Sequence, residues 1–180
     1  MTITSKRPDR VALIGFGEAG MAFRAGWGAQ RPTDLRAYDI KSEDADTRTI
    51  MLDRYVAQEI TGSATLPAAI EGVEAVFCVV TADQAFAAAR LAAPYLTPGT
   101  FWFDCNSCAP GTKRRSAAVI EAAGGRYVDV AVMAPVYPKK HQVPLLIAGP
   151  HADTAEAVLT ALDMKPRQAG AEVGRASSIK

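Results

Sequence analysis

The sequence predicts a doubly wound α/β domain with a largely parallel sheet, and two observations support this fold class. First, the apolar runs typical of strands show no alternation of polar and apolar residues, as expected for strands covered on both faces. Second, single stretches with helical spacing separate these runs nearly throughout the chain. With 180 residues, 49% of them hydrophobic, the chain is long enough to bury one core. We therefore expect one unit from about residue 8 to residue 170.

In chain order, strands are predicted at residues 10–15, 35–39, 60–63, 74–80, 100–104, 126–134 and 144–149. The intervening helices are predicted at residues 18–29, 43–58, 66–72, 82–96, 110–123 and 152–164. In the second helix, the helical spacing runs through Ile50, Tyr55 and Val56. Pro67 stands near the start of its helix and Pro94 closes the next one, while the pair 124–125 (GG) ends the helix that begins at residue 110.

Charge and composition narrow the class of ligand. Twenty basic and nineteen acidic residues leave a formal charge of +1, which argues against nucleic acid or an anionic membrane as a partner. The start of the chain is polar, and the apolar run that follows is interrupted by glycines and Glu18, which argues against a secretory or membrane segment. The sequence therefore predicts a cytoplasmic protein with a small-molecule substrate.

The three cysteines, Cys78, Cys105 and Cys108, are few and odd in number, which fits a reducing compartment. Cys105 and Cys108 form a C-x-x-C pair, but the sequence has no second ligand pair for zinc. We predict ordinary thiols and no metal site.

A glycine-rich loop follows the first strand directly. Gly15, Gly17 and Gly20 form a G-x-G-x-x-G pattern, in which the first glycine permits a tight turn and the second lets a diphosphate approach the backbone. The third lets the helix pack closely. The N–H groups of residues 16–19, at the positive end of the helix, then form an anion site. The predicted cofactor-binding residues here are Gly15, Phe16, Gly17, Glu18, Ala19 and Gly20.

Asp39 ends the second strand, 19 residues after Gly20. A carboxylate at that position accepts hydrogen bonds from an adenosine ribose, so the loop and Asp39 together predict a Rossmann-type dinucleotide site. The negative charge repels a 2′-phosphate, which favours NAD. The positive charge of Lys41 leaves NADP as an alternative. Two alternatives remain for this pattern: a surface acid at a strand end, and an S-adenosylmethionine site.

Val80 and Thr81 follow the fourth strand and are predicted to lie along the nicotinamide side of the cofactor. Thr81 is equally suited to cap the helix after it.

Three segments, GFGEAG, residues 104–136 and VGRASSIK, resemble the NAD(P)-binding half of the β-hydroxyacid dehydrogenases, over residues 10–180. That family includes the 3-hydroxyisobutyrate, tartronate semialdehyde and 6-phosphogluconate dehydrogenases, and residues 104–136 are most similar to a 6-phosphogluconate dehydrogenase-like branch. The resemblance implies hydride transfer between a nicotinamide cofactor and a small β-hydroxy acid, with decarboxylation left open. It also implies a homodimer formed through a helical second domain.

The family pattern D-x-S-[ST]-x-x-P corresponds to residues 104–110, with Asn106 in place of the usual serine and Ser107 at the next position. The resemblance implies that Asn106 and Ser107 bind substrate and that Asn106 also borders the cofactor. The alternative is that both residues cap the helix that starts at Pro110. The family's P-V-S-G-G turn is replaced here by residues 135–138 (PVYP), in which Tyr137 and Pro138 are expected to narrow the pocket. Residues 139–141 are predicted to be a solvated basic turn.

The last residues match the family pattern G-x-G-x-x-x-K at Gly174, Ala176 and Lys180, with alanine replacing the second glycine. The resemblance implies that Lys180 is the general acid/base. It also implies an NAD(P)-binding domain over residues 1–172, with residues 173–180 opening an interdomain helix, so that the chain is expected to be truncated before an all-helical second domain. Three alternatives stay open: an exposed lysine of no consequence, a non-catalytic NAD(P)-binding sensor or regulatory module, and an imine reductase.

Overall fold

A computed structural model describes residues 7–180 of the chain, so the first six residues of the predicted polar start lie outside the described part. The strands are β1 (Arg10–Ile14), β2 (Asp34–Tyr38), β3 (Thr61–Gly62), β4 (Ala75–Cys78), β5 (Phe101–Asp104), β6 (Arg126–Val132), β7 (Pro144–Ala148) and β8 (Lys165–Gly170). The helices are α1 (Glu18–Trp27), α2 (Arg48–Ala57), α3 (Leu66–Ile70), α4 (Ala85–Ala92), α5 (Pro110–Ala122), α6 (Ala152–Ala161) and α7 (Arg175–Ile179).

All eight strands form one sheet in the order β3-β2-β1-β4-β5-β6-β7-β8. Every neighbouring pair is parallel except β6 and β7, which run antiparallel. The predicted doubly wound, largely parallel sheet is confirmed. The carboxyl ends of β1, β4 and β5 meet at one edge, where ligands bind in this class of fold.

Successive residues of the central strands face opposite sides of the sheet, and both sides are apolar. In β1, Val11 and Leu13 pack in the cluster beneath α1, α2 and α6, whereas Ala12 and Ile14 pack in the cluster beneath α3, α4 and α5. This arrangement explains the absence of polar alternation in the strand sequences.

The edge strand β8 was missed by the sequence analysis. Its sequence, KPRQAG, is polar and largely exposed, and it pairs with β7 alone. Pro166 is acceptable there because an edge strand leaves one row of backbone groups unpaired.

The apolar face of α2 also differs from the prediction. Ile50 and Val56 are 63% and 77% exposed, whereas Met51 and Tyr55 are buried. Met51 and Tyr55 are four residues apart, so they share one face of the helix. Ile50 and Val56 are six residues apart and do not share a face. The prediction is therefore right for Tyr55 and wrong for the other two.

Most other boundaries agree within a few residues. Residues 82–84 form a 3₁₀ turn before α4, and α4 ends at Ala92, just before Pro94. Gly124, with φ of +85°, follows α5 as predicted. Across residues 7–180, no helix combines the length and the apolar character that crossing a membrane requires.

Candidate functional site

The glycine loop joins β1 to α1 and has a shape that its sequence dictates. Gly15 has φ of +93°, and a Cβ atom there would lie 2.5 Å from the main-chain oxygen of Val79. A Cβ atom on Gly20 would lie 2.7 Å from the main-chain oxygen of Gly15. Gly17 is different, because a Cβ atom there would meet no protein atom within 4 Å. The tight turn and the close helix packing are as predicted, and space is left open beside Gly17.

The backbone of Phe16 is held at both ends. Its N–H donates to Oδ2 of Asp39 at 2.8 Å, and its carbonyl accepts from Nη1 of Arg54 in α2 at 2.9 Å. The prediction that this amide is free to bind an anion is therefore wrong. The amides of Gly17, Glu18 and Ala19, at the N-terminus of α1, are the ones that the helix geometry leaves for a ligand.

Asp39 lies half-buried at the end of β2, with its carboxylate turned toward the loop. Its Oδ1 atom accepts from the N–H of Lys41 at 3.0 Å, and its own N–H donates to the hydroxyl of Tyr55 at 2.9 Å. Each carboxylate oxygen accepts more than one hydrogen bond, so these contacts leave acceptor capacity for a ligand.

A cavity of about 310 Å³ lies between the loop and the carboxyl ends of β1, β2 and β4. Of the predicted cofactor residues, Gly15, Gly17, Glu18, Asp39, Val80 and Thr81 line it. Phe16, Ala19 and Gly20 form the loop and helix behind it. We call this space the loop cavity. Burial raises the pKa of the Tyr38 hydroxyl, which also borders the cavity, to about 12, with Glu43 as a second cause, so this hydroxyl is neutral.

Thr81 occupies the N-cap of the 3₁₀ turn at Ala82–Gln84, but its side chain makes no capping hydrogen bond. Its carbonyl accepts from the N–H of Gln84 at 3.0 Å. The capping alternative is therefore right for the position of Thr81 and wrong for its side chain.

A second cavity, of about 270 Å³, lies where β5 and β6 meet α7. Its lining residues are Asn106, Ser107, Cys108, Ala131, Ser177 and Lys180. We call it the lysine cavity. Within it, Nζ of Lys180 donates to Oγ of Ser107 at 2.7 Å, although the two residues are 73 positions apart. The fold thus brings together Asn106, Ser107 and Lys180, while Asn106 does not line the loop cavity.

Asn106 is buried, and its hydrogen bonds fix the orientation of its amide. Its Nδ2 donates to Oδ1 of Asp104 at 2.8 Å and to Sγ of Cys78 at 3.5 Å. Its Oδ1 has no hydrogen-bond partner within residues 7–180. Neither Asn106 nor Ser107 caps α5, because Ala109 holds the N-cap position and has no side-chain cap. The capping alternative is wrong.

A buried group of charges beneath the lysine cavity was missed by the sequence analysis. Lys113 in α5 is 0% exposed, and its Nζ lies 3.2 Å from Oδ1 of Asp104 and 3.3 Å from Oδ1 of Asp129. Lys113 shares a helix face with the buried Ala117 and Ile120, at i, i+4 and i+7, and this spacing was the available clue. A lysine on an apolar helix face implies a buried partner.

The loop after β6 also departs from prediction. His141 is buried against α1, and its Nε2 lies 3.1 Å from Oδ2 of Asp163, so residues 139–141 are not a simple solvated turn. Tyr137 is 46% exposed. Neither Tyr137 nor Pro138 lines the loop cavity or the lysine cavity, so the expected narrowing of those two spaces is not observed.

All three cysteines are free thiols, with Cys78 and Cys105 buried and Cys108 half-buried. Burial raises the pKa of Cys105 to about 12 and raises that of Cys108 as well. These thiols are protonated at neutral pH and are poor nucleophiles. In the part of the chain that the structure describes, no cluster of three or more His, Cys, Asp or Glu residues is arranged to hold a metal ion.

Solved structures share this fold. A conserved protein from Sinorhizobium meliloti 1021 is 32% identical, with a TM-score of 0.88, over 94% of this chain and 56% of that one. A conserved protein described as structurally similar to 3-hydroxyacid dehydrogenases is 25% identical, with a TM-score of 0.78, over 94% of this chain and 61% of that one. The Mycobacterium tuberculosis 3-hydroxyisobutyrate dehydrogenase, solved with L-serine, has the same fold, with 18% identity and a TM-score of 0.78 over 94% of this chain and 56% of that one.

This chain therefore spans about 56% to 61% of the length of these structures. No curated protein sequence matches it. Residues 10–166 match the family described as the NAD-binding domain of 6-phosphogluconate dehydrogenase, which confirms the predicted likeness to the hydroxyacid dehydrogenases. With the glycine loop and Asp39 around one cavity, this match shows that the chain belongs to the family of 6-phosphogluconate dehydrogenase NAD-binding domains.

Proposed function

We propose that this chain supplies the NAD site and part of the substrate site of an oxidoreductase that acts on a small β-hydroxy acid. The observation that carries the proposal is the contact between Lys180 and Ser107, with Nζ 2.7 Å from Oγ, in a cavity at the dinucleotide-binding edge of the sheet. The amine of Lys180 and the hydroxyl of Ser107 lie side by side there, an arrangement suited to proton transfer with a substrate hydroxyl.

The residues around the loop cavity fit a dinucleotide. The amides of Gly17, Glu18 and Ala19 lie at the positive end of α1, where a diphosphate would bind. The open space beside Gly17 lets the diphosphate approach the backbone. Asp39 would accept from the adenosine ribose, and Val80 and Thr81 would lie beside the nicotinamide. When bound, the nicotinamide accepts the hydride from the alcohol carbon.

We favour NAD over NADP because of Asp39. Its carboxylate borders the loop cavity, where it would repel the 2′-phosphate of NADP at short range. Lys41 borders the same cavity, and its positive charge would favour NADP.

The lysine cavity would hold the substrate. As the hydride leaves the alcohol carbon, the hydroxyl proton passes to Nζ of Lys180, and a carbonyl forms. Ser107 accepts a hydrogen bond from Lys180, which leaves its own hydroxyl proton free to donate to the substrate oxygen. Asn106 has committed its Nδ2 donor to Asp104 and Cys78, so what it retains is acceptor capacity. The product is a β-oxo acid, a class of compound that can lose carbon dioxide.

Cofactor binding is tested by titrating this chain with NADH and with NADPH and following nicotinamide fluorescence. We expect NADH to bind at least about tenfold more tightly, which corresponds to about 1.4 kcal/mol. A matched pair is Asp39→Asn, which removes the charge and keeps an acceptor oxygen, against the exposed Asp53→Asn. Only Asp39→Asn should reduce the difference in affinity between NADH and NADPH. A strong preference of the unmodified chain for NADPH would contradict the proposal.

The reaction is tested on the complete protein with a panel of β-hydroxy acids that includes L-serine and 3-hydroxyisobutyrate. Lys180→Met should lower kcat by about 10²- to 10⁴-fold, because proton transfer by a positioned group contributes that much, while affinity for NADH is kept. The exposed Lys139→Met is the control. A Lys180→Met variant with near-normal kcat would remove Lys180 from the mechanism. Turnover of cyclic imines alone would favour an imine reductase, and NADH binding without any turnover would favour a sensor module.

A further inference from the structure

Lys113 is fully enclosed by protein, which is rare for a lysine unless acids surround it. Its Nζ donates to the main-chain oxygens of Asp104, at 2.6 Å, and Val130, at 3.3 Å. The same nitrogen lies between the carboxylates of Asp104 and Asp129, which are 1% and 0% exposed. The cation therefore joins the carboxyl end of β5 to the middle of β6.

Asp104 holds Asn106 in place. Its Oδ1 accepts from both the backbone N–H and the Nδ2 of Asn106, at 3.1 and 2.8 Å, and its Oδ2 accepts from the hydroxyl of Tyr127 at 2.6 Å. A carboxylate next to Lys113 only accepts hydrogen bonds, so the amide nitrogen of Asn106 must face it. The orientation of Asn106 thus depends on its contact with Asp104.

Asp129 holds the segment that carries Lys180. Its Oδ2 accepts from the N–H of Gly174 at 2.9 Å, and from the N–H and Oγ of Ser177 at 3.3 and 3.4 Å. These contacts fix the beginning of α7, and Lys180 directly follows α7. Lys180 then reaches Ser107 on the β5 side of the cavity.

We propose that Lys113 is a positioning residue, which ties Asn106 and the Lys180 segment into one arrangement by bridging Asp104 and Asp129. The assignment of substrate roles to Asn106 and Lys180 rests on the proposed function, but the bridge itself does not. Two buried carboxylates this close repel each other unless a cation lies between them. Among residues 7–180, Lys113 is the side chain that contacts both carboxylates, so its removal breaks this link between the two sides of the cavity, while β5 and β6 remain paired.

The test compares Lys113→Met with two controls in this chain: Lys139→Met, an exposed lysine, and Ile120→Val, which weakens the buried face of α5 without touching the charges. The readouts are hydrogen exchange at the amides of Gly174 and Ser177, and the side-chain amide resonances of Asn106. We expect exchange at least about tenfold faster and shifted Asn106 resonances in Lys113→Met only. Wild-type exchange and resonances in that variant would overturn the proposal.

A second variant covers the case in which Lys113→Met does not fold. Lys113→Met combined with Asp129→Asn leaves one buried carboxylate, which keeps its donors from Asn106 and Tyr127. In this double variant the Asn106 resonances should resemble those of the wild type, while Gly174 and Ser177 exchange faster. Protection of Gly174 and Ser177 at the wild-type level in the double variant would also overturn the proposal.

Kinetics of the complete protein separate positioning from plain destabilisation. Lys113→Met should lower kcat and leave the affinity for NADH within about twofold, because the loop cavity does not contact Lys113. Ile120→Val should leave kcat and the affinity for NADH unchanged at a temperature where the variant is folded. If the unmodified protein oxidises no hydroxy acid, the proposed function fails, and the exchange experiment still decides the role of Lys113.

Discussion

The loop cavity and the lysine cavity lie at the same edge of the sheet, but they are built by different means. The loop cavity depends on backbone shape: a left-handed Gly15, a close-packed Gly20, and a peptide at Phe16 held by Asp39 and Arg54. The lysine cavity rests on buried charge, with Lys113 between two carboxylates. Two cavities at one edge of the sheet therefore have separate sources of order, so each should be alterable without the other.

The largest expected effect concerns the backbone of the loop cavity. Gly15→Ala should destabilise the chain by about 3 kcal/mol and abolish NADH binding, because the new Cβ meets the Val79 carbonyl in a left-handed conformation. Gly17→Ala is the matched control for folding, since its Cβ has open space. Thermal denaturation and NADH titration measure both variants. A well-folded Gly15→Ala variant that binds NADH normally would show that the loop cavity does not depend on the backbone shape at Gly15.

The next effect concerns the charges beneath the lysine cavity. Tyr127→Phe removes the hydroxyl that donates to Oδ2 of Asp104 at 2.6 Å, and should lower the free energy of unfolding by about 2 kcal/mol. Affinity for NADH should stay within about twofold. Denaturant unfolding with a parallel NADH titration makes the check. A large loss of NADH affinity would mean that the two cavities are not independent.

The glycine loop of the loop cavity could be predicted from the sequence, whereas the charges beneath the lysine cavity could not. The glycine loop was predictable because each glycine has a steric reason that adjacent residues reveal, and the strands were predictable because both sheet faces are covered. Lys113 was missed because its partners, Asp104 and Asp129, are distant in the chain and only the sheet register places them side by side. The Phe16 amide was wrongly predicted to bind an anion, because Asp39 was considered only as a partner of the ribose and not of this amide.

Solvent exposure explains two further errors. Strand β8 has the polar composition of a loop, since it is an edge strand with little buried surface. In α2, apolar residues lie on several faces, and the sequence alone does not show that Met51 and Tyr55 form the buried pair.

A smaller effect is expected at the backbone of Phe16 in the loop cavity. Arg54→Met should weaken NADH binding by about threefold to fivefold, because Phe16 loses the donor that holds its carbonyl. Arg48→Met, also in α2 but bonded to carbonyls of Ser42 and Glu43, is the matched control. Isothermal titration with NADH compares the variants. Equal affinities would show that the hydrogen bond from Arg54 does not contribute to NADH binding.

The smallest effect concerns Cys108, which lines the lysine cavity and is half-buried. Burial raises the pKa of its thiol, so the reactive thiolate is scarce at neutral pH and increases as pH rises through the ordinary thiol range and beyond. Alkylation by iodoacetamide at Cys108 should therefore be slower than for a free thiol at pH 8, and should continue to rise above pH 9. Mass spectrometry of the labelled peptide gives the rate. A rate that levels off below pH 8 would contradict this account.

The two hydrogen bonds to the backbone of Phe16 have a thermodynamic consequence. A loop that Asp39 and Arg54 already hold has little conformational entropy left to lose when a dinucleotide arrives. The entropy cost of ordering the loop therefore arises during folding and not during binding. Substitutions in α2 that never touch the ligand should therefore change its affinity, through the fraction of molecules in which the loop is already formed.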